Sequence, residues 1–237
     1  MKAARLYAYD EQMNVDLKVE QVDEPKMTAP DDVIVRIGAA GLCRTDLHIL
    51  EGVWKDIQDP HRTLLPYILG HENAGWIEEV GSGVRSVKKG DAVICHPLRT
   101  CGICYGCRRG EDMYCENARF PGLNTDGGFA DYLLTNERAL IKLNPHVAPI
   151  DVAPLADAGL TAYRAARRAA KQLTPGQYCV VLASAGWVTS RCRRCTSSAG
   201  RARSRWIARR QRVLWRQSSG RTMCSTAAPM LWRRSSS

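Results

Sequence analysis

The chain has 237 residues, of which 45% are hydrophobic and 24% charged, with 34 Lys and Arg against 24 Asp and Glu. That is the composition of a globular protein long enough to bury a core. No apolar run approaches the roughly 18 residues of a membrane span, and the N-terminus MKAARLYAYDEQ lacks the apolar stretch of a secretory signal, so a cytoplasmic protein is expected. Ten cysteines in such a chain point to metal ligands or reduced thiols rather than disulfides.

The formal net charge of +10 is unevenly spread. Residues 183–237 contain 13 Arg, no Lys and no acidic residue, together with 11 Ser and four of the six Trp. Residues 1–182 hold 21 basic and 24 acidic side chains and all five His. The two parts are therefore read separately.

The body reads as mainly β. Ala4–Tyr9 and Leu17–Val22 alternate like a half-buried antiparallel pair. Asp32–Gly38, Ala74–Val80, Asp91–His96, Phe129–Thr135 and Ala139–Leu143 are further short strands. Gly, Pro, Asn and Asp punctuate them, as in a small barrel-like fold. Pro149–Ala170 then shows helical spacing. Pro175-Gly176 ends it, and Tyr178–Leu182 (YCVVL) is the apolar run of a buried parallel strand.

Cys101, Cys104, Cys107 and Cys115 place four thiols within 15 residues. Two-residue gaps let a tight turn converge thiolates on one tetrahedral ion, and Gly102 and Gly106 permit the turns. Four sulfurs close the coordination shell, so a zinc there is structural; an iron–sulfur cluster uses the same ligand type. Two further segments, Gly41-Leu-Cys43-Arg-Thr45-Asp46-Leu-His48 and Leu69-Gly70-His71-Glu72, are each weak alone. Together, Cys43, His71 and a third ligand could hold a second zinc with an open position.

With these motifs in this order, residues 1–182 resemble the zinc-dependent medium-chain alcohol dehydrogenases. The resemblance implies a GroES-like β-barrel catalytic domain over residues 1–150, with the structural zinc lobe at 101–115. Residues 151–182 would be the linking helix and first strand of a Rossmann domain that binds NAD, left incomplete. It implies two zinc ions, one structural and one catalytic. The catalytic ion would be held by Cys43, His71 and Asp157, in Pro154-Leu-Ala-Asp157-Ala-Gly159-Leu-Thr161, with Glu72 just behind it. Asp46 would bond the ligand histidine. Thr45 would accept the alcohol proton and His48 pass it towards solvent. Arg44 would contact the cofactor pyrophosphate and Thr161 lie beside the nicotinamide. Trp54 would line the substrate pocket. The implied activity is oxidation of a primary or secondary alcohol to aldehyde or ketone, with NAD as hydride acceptor. The implied partner is a small alcohol or aldehyde. The family's homo-oligomers form largely through the cofactor domain, so none is expected of this chain. A polyol or formaldehyde dehydrogenase of the same superfamily fits these residues as well.

After Leu182 the pattern breaks. A dinucleotide-binding strand leads into Gly-x-Gly-x-x-Gly, whereas this chain reads Ala183-Ser-Ala-Gly186-Trp187-Val188. A slip of reading frame accounts for it. Trp has one codon, so the out-of-phase triplet across Trp187 and Val188 must encode Gly. The one across Trp206 and Ile207 must encode Asp, near the spacing of a ribose-binding acid. The tail read in this way would be largely disordered, and the polypeptide would bind zinc with negligible turnover. The competing reading is a zinc-stabilised binding module whose Arg/Trp-rich tail binds nucleic acid. Arg-rich text is also what out-of-phase GC-rich coding yields, so nucleic acid is not the expected partner.

Overall fold

The computed structural model describes residues 1–12 and 17–173. The strand Tyr178–Leu182 and the whole of the tail lie outside the described residues. The first sheet pairs β1 (Lys2–Leu6) with β2 (Lys18–Gln21), Lys2 opposite Gln21, and with the short β4 (Tyr67–Ile68) on its other edge. The expected antiparallel pair is therefore present, but β1 stops at Leu6, so Tyr7–Tyr9 are not strand.

The second sheet has five strands in the order β7 (Tyr132–Asn136), β3 (Asp32–Gly41), β5 (Glu72–Val80), β6 (Ala92–Cys95) and β8 (Leu140–Lys142). All its pairings are antiparallel. Val33, Val35, Ile77, Val93 and Leu133 meet in its core. β-Branched residues dominate there because their stiff side chains pack well on a pleated surface. A second cluster gathers Leu6, Ile49, Tyr67 and Leu69, with Tyr9, Trp54 and Phe129 packed against it. That cluster lies between the first sheet and the helical segment after β3.

Two connections differ from the sequence reading. Arg44–Leu50 (α1) and Lys55–Gln58 (α2) are helices that the strand pattern did not suggest. The helix expected over Pro149–Ala170 is three pieces: α4 (Pro149–Val152), a 3-10 turn (Ala153–Leu155) and α5 (Ala158–Ala170), α3 being the one-turn Tyr105–Arg108. Pro154 explains the break, since it lacks an N–H and its ring crowds the preceding turn. The break matters, because it sets Asp157 at a helix start instead of mid-helix.

Register positions the site. β3 and β5 pair down to Gly41 opposite Glu72, with irregularities at Ile34/Val35 and Ile37/Ala39. Cys43, two residues past the end of β3, and His71, one residue before β5, thus emerge side by side at one end of the sheet.

Candidate metal centres

The four-cysteine lobe is built on turns. Gly102 has φ +73°, a left-handed conformation that favours glycine. A Cβ on Gly106 would stand 2.6 Å from the Tyr114 carbonyl oxygen, so only glycine lets the segment before Cys115 fold back on α3. The four sulfurs lie within 4.8 Å of one another. No disulfide joins them. The Cys101 thiol is drawn down to about 6 by the N–H groups of Ile103 and Cys104. Burial pushes the Cys107 thiol up to about 12. A thiol forced among three others gains little by ionising alone. A divalent cation at the centre would ionise all four, as coordination does.

The second centre is assembled from three distant parts of the chain. Cys43 is the N-terminal cap of α1. Asp46, fully buried, accepts a hydrogen bond from the Cys43 backbone N–H at 2.8 Å with one carboxylate oxygen. Its other oxygen accepts from His71 Nδ1 at 3.2 Å. One side chain thus closes the start of α1 and fixes the imidazole plane. His71 is itself buried, and its ring stands edge-on to Phe120 at 5.8 Å between centroids.

The other ring nitrogen defines the centre. His71 Nε2 is buried without a hydrogen-bond partner, and Asp157 Oδ2 lies 3.5 Å away, outside hydrogen-bond geometry. Single donor atoms of Cys43, His71, Glu72 and Asp157 all fall within 4.8 Å of one another. Burial works against a charged imidazole, but Asp157, Asp46 and Cys43 outweigh it and push His71 up to about 11. The His71 ring, opposed by burial and helped by Thr45, lowers the Cys43 thiol. The same ring holds Asp157 below the usual carboxylate range, despite burial, with help from Thr161. Burial raises Glu72, and the Ala158 N–H at 3.1 Å partly offsets it. Without metal, a proton on His71 is the only positive charge these groups share. A thiolate, an imidazole and a carboxylate around one orphaned nitrogen are a donor set that suits Zn²⁺.

Asp157 occupies the N-terminal cap position of α5, yet its side chain makes no capping bond there. It turns instead to His71 and accepts from Thr161 Oγ1 at 3.2 Å. The Thr45 hydroxyl bonds the Cys43 sulfur, which lies in the same cluster. His48 stands 5.4 Å from Trp54, ring to ring, and 3.1 Å from Glu51 through Nδ1. Arg44 lies on the surface, paired with the other Glu51 oxygen at 3.2 Å. The residues singled out from sequence thus fall into two groups: Cys43, Thr45, Asp46, His71, Glu72, Asp157 and Thr161 converge, while Arg44 and His48 lie on α1 and Trp54, just before α2, packs on His48. Sequence reading did not single out Glu51, Phe120 or His96. His96, on the wall of an apolar cleft with Cys95, Leu155 and Tyr163, is close enough to lower Asp157 further. Glu51 was legible only once Arg44–Leu50 was known to be helical, since positions 44, 48 and 51 then share a face.

An antiparallel fold of this topology, with a four-thiol lobe and a mixed Cys/His/carboxylate cluster at one sheet end, is of the GroES-like catalytic-domain class. Residues 29–145 match the family described as "Alcohol dehydrogenase GroES-like domain". The chain is 44% identical over 169 residues to a D-arabinose 1-dehydrogenase (NADP(+)) of Saccharolobus solfataricus, covering 71% of this chain and 45% of that one. It is 38% identical over 189 residues to an NAD-dependent alcohol dehydrogenase of Sulfurisphaera tokodaii, covering 78% and 52%. The crystal structure of the alcohol dehydrogenase from Aeropyrum pernix superposes with a TM-score of 0.77 at 47% identity, covering 84% of this chain and 57% of that one. The chain belongs to the zinc-type medium-chain alcohol dehydrogenases. It spans about half the length of the curated relatives it matches.

Proposed function

We propose that residues 1–150 are the catalytic domain of a zinc-dependent alcohol dehydrogenase, with Asp157 supplied by the segment that follows. Residues 151–182 would begin the nucleotide-binding domain. One observation carries the reading: a buried His71 Nε2 with no hydrogen-bond partner, ringed by a thiol and two carboxylates and next to the Thr45 hydroxyl. Cys43, His71 and Asp157 would hold the ion, and Glu72 would back it. Bound there, zinc supplies a Lewis acid that lowers the pKa of an alcohol oxygen. Cys101, Cys104, Cys107 and Cys115 would hold a second, structural ion.

The chain's own residues perform the rest. Asp46 fixes the ring of His71, so Nε2 is the coordinating nitrogen. Thr45 Oγ1 takes the alcohol proton and His48 passes it outward. Trp54, beside His48, bounds the space for the alkyl group. Arg44 and Thr161 would contact the nicotinamide dinucleotide, which would supply the hydride acceptor when bound. The relatives divide between NAD and NADP(+), and the out-of-phase Asp codon in the tail favours NAD. Residues 183–237 contain neither a Gly-x-Gly-x-x-Gly loop nor an acid. The 237-residue polypeptide by itself is therefore expected to bind metal and alcohol with negligible turnover. Gene sequence across the Leu182 codon tests the frame slip directly: early stop codons in the alternative frame would overturn it.

The substrate is a small alcohol. A sugar hydroxyl is the second candidate, favoured by identity to a relative named for D-arabinose. Cobalt substitution tests the open site. Co²⁺ in the full chain should show thiolate charge-transfer bands, and its d–d bands should move when an alcohol or imidazole is added. Cys43→Ser should abolish the ligand-responsive part alone. Bands that ignore both the added ligand and that substitution would overturn the reading.

A further inference from the structure

The geometry points to Glu51 as the residue that positions His48, by fixing which ring nitrogen carries the proton. The inference rests on the reading of His48 as the outer member of the proton relay. His48 Nδ1 lies 3.1 Å from Glu51 Oε2, one helical turn further along the chain. A carboxylate only accepts, so this contact requires the proton on Nδ1 and leaves Nε2 as the basic nitrogen. In a free histidine side chain the Nε2–H form is the preferred tautomer, so the environment must select the other.

Four features make the selection firm. Glu51 is only 19% exposed, so water competes weakly for its oxygens. Its second oxygen is held by Arg44 Nη2 at 3.2 Å, so the carboxylate cannot swing away from His48. Its own backbone N–H bonds Leu47 O at 2.9 Å, closing the end of α1. On the opposite side the Trp54 ring confines the imidazole at 5.4 Å between centroids. Arg44, His48 and Glu51 are at positions i, i+4 and i+7, one helix face, so a single carboxylate ties both to α1.

The consequence is mechanistic. An imidazole whose Nδ1–H is already donated can take a proton only at Nε2. Glu51 therefore fixes Nε2 as the ring nitrogen that accepts a proton, and the same nitrogen releases it when the ring returns to its neutral form. It touches no reacting atom and acts through His48.

The test is a long-range ¹H–¹⁵N correlation spectrum of the full chain, with histidine ¹⁵N-labelled and His48 assigned by its loss in His48→Gln. With the ring neutral, the wild type should show a protonated Nδ1 and a bare Nε2. Glu51→Gln offers one acceptor oxygen to two donors, Arg44 and the His48 ring, so it should lower the Nδ1–H fraction without the full loss seen in the alanine variant. Glu51→Ala should move the majority of the signal to Nε2–H. A merely structural role would shift the thermal midpoint of Glu51→Ala and leave the tautomer alone. A wild-type ring protonated on Nε2, or an unchanged tautomer in Glu51→Ala, overturns the inference, and the wild-type spectrum decides even where the alanine variant does not fold. The zinc reading fails separately: a chain with the expected tautomer and no cobalt response sinks that reading and leaves Glu51 standing.

Discussion

Asp46 shows how much one side chain can specify. It has no exposure, and each oxygen has its own partner, the Cys43 N–H and His71 Nδ1. Replacing one oxygen by an amide nitrogen puts a donor against a donor. Asp46→Asn should weaken metal binding at the Cys43 centre by about 10–100-fold, the usual cost of losing such an outer partner, with the four-cysteine lobe unaffected. Competition against a chelator of known affinity checks it. The four cysteines at 101–115 were legible because their spacing is local and the chemistry needs nothing else. Cys43 and His71 could be paired as candidate ligands from their segments, but the third ligand, Asp157, lies far along the chain and came only with the resemblance. Glu51 carried no signal while its neighbours had no secondary structure assigned to them.

At the scale of elements, β3 is the strand that everything else uses. It lies between β7 and β5, and its first residue, Asp32, is buried. Asp32 accepts from the Thr28 and Ala29 backbone N–H groups and the Thr28 hydroxyl, and pairs with Arg99 at 2.6 Å. Asp32→Ala leaves two part-buried N–H groups and a largely buried guanidinium without their buried acceptor, so it should destabilise the fold by about 2 kcal/mol. Urea unfolding of the metal-loaded chain measures it. Strand positions were legible from alternation. Helix boundaries around Pro154 were not read correctly, although the missing N–H of that residue was the available signal. The cluster containing Tyr9 adds a pH dependence. Burial and the Asp59 carboxylate, 3.1 Å from its hydroxyl, raise Tyr9 to about 12. The folded chain therefore keeps a proton that the unfolded chain loses from about pH 10 upward. This contribution is intact below that pH and is lost as pH climbs towards 12. Tyr9→Phe should show a shallower alkaline loss of stability than the wild type.

For the whole molecule, the two proposed ions would be part of the fold. Each ion would tie together donor side chains that the fold brings within 4.8 Å of one another. A mixed cluster joins β3, β5 and α5, and a thiol cluster closes the loop before β7. Among the described residues no helix is long and apolar enough to cross a membrane. Removing metal should therefore lower the thermal midpoint in two separable steps, because the sites share no residue. The change of text after Leu182 was plain in the sequence, and it lies outside the described residues. Zinc content per full-length chain, measured on the wild type and on two variants, tests the central claim most directly. Two equivalents are predicted, falling to one in His71→Ala and to one in Cys104→Ser. A chain that binds no zinc, or one whose zinc content ignores both substitutions, would contradict it.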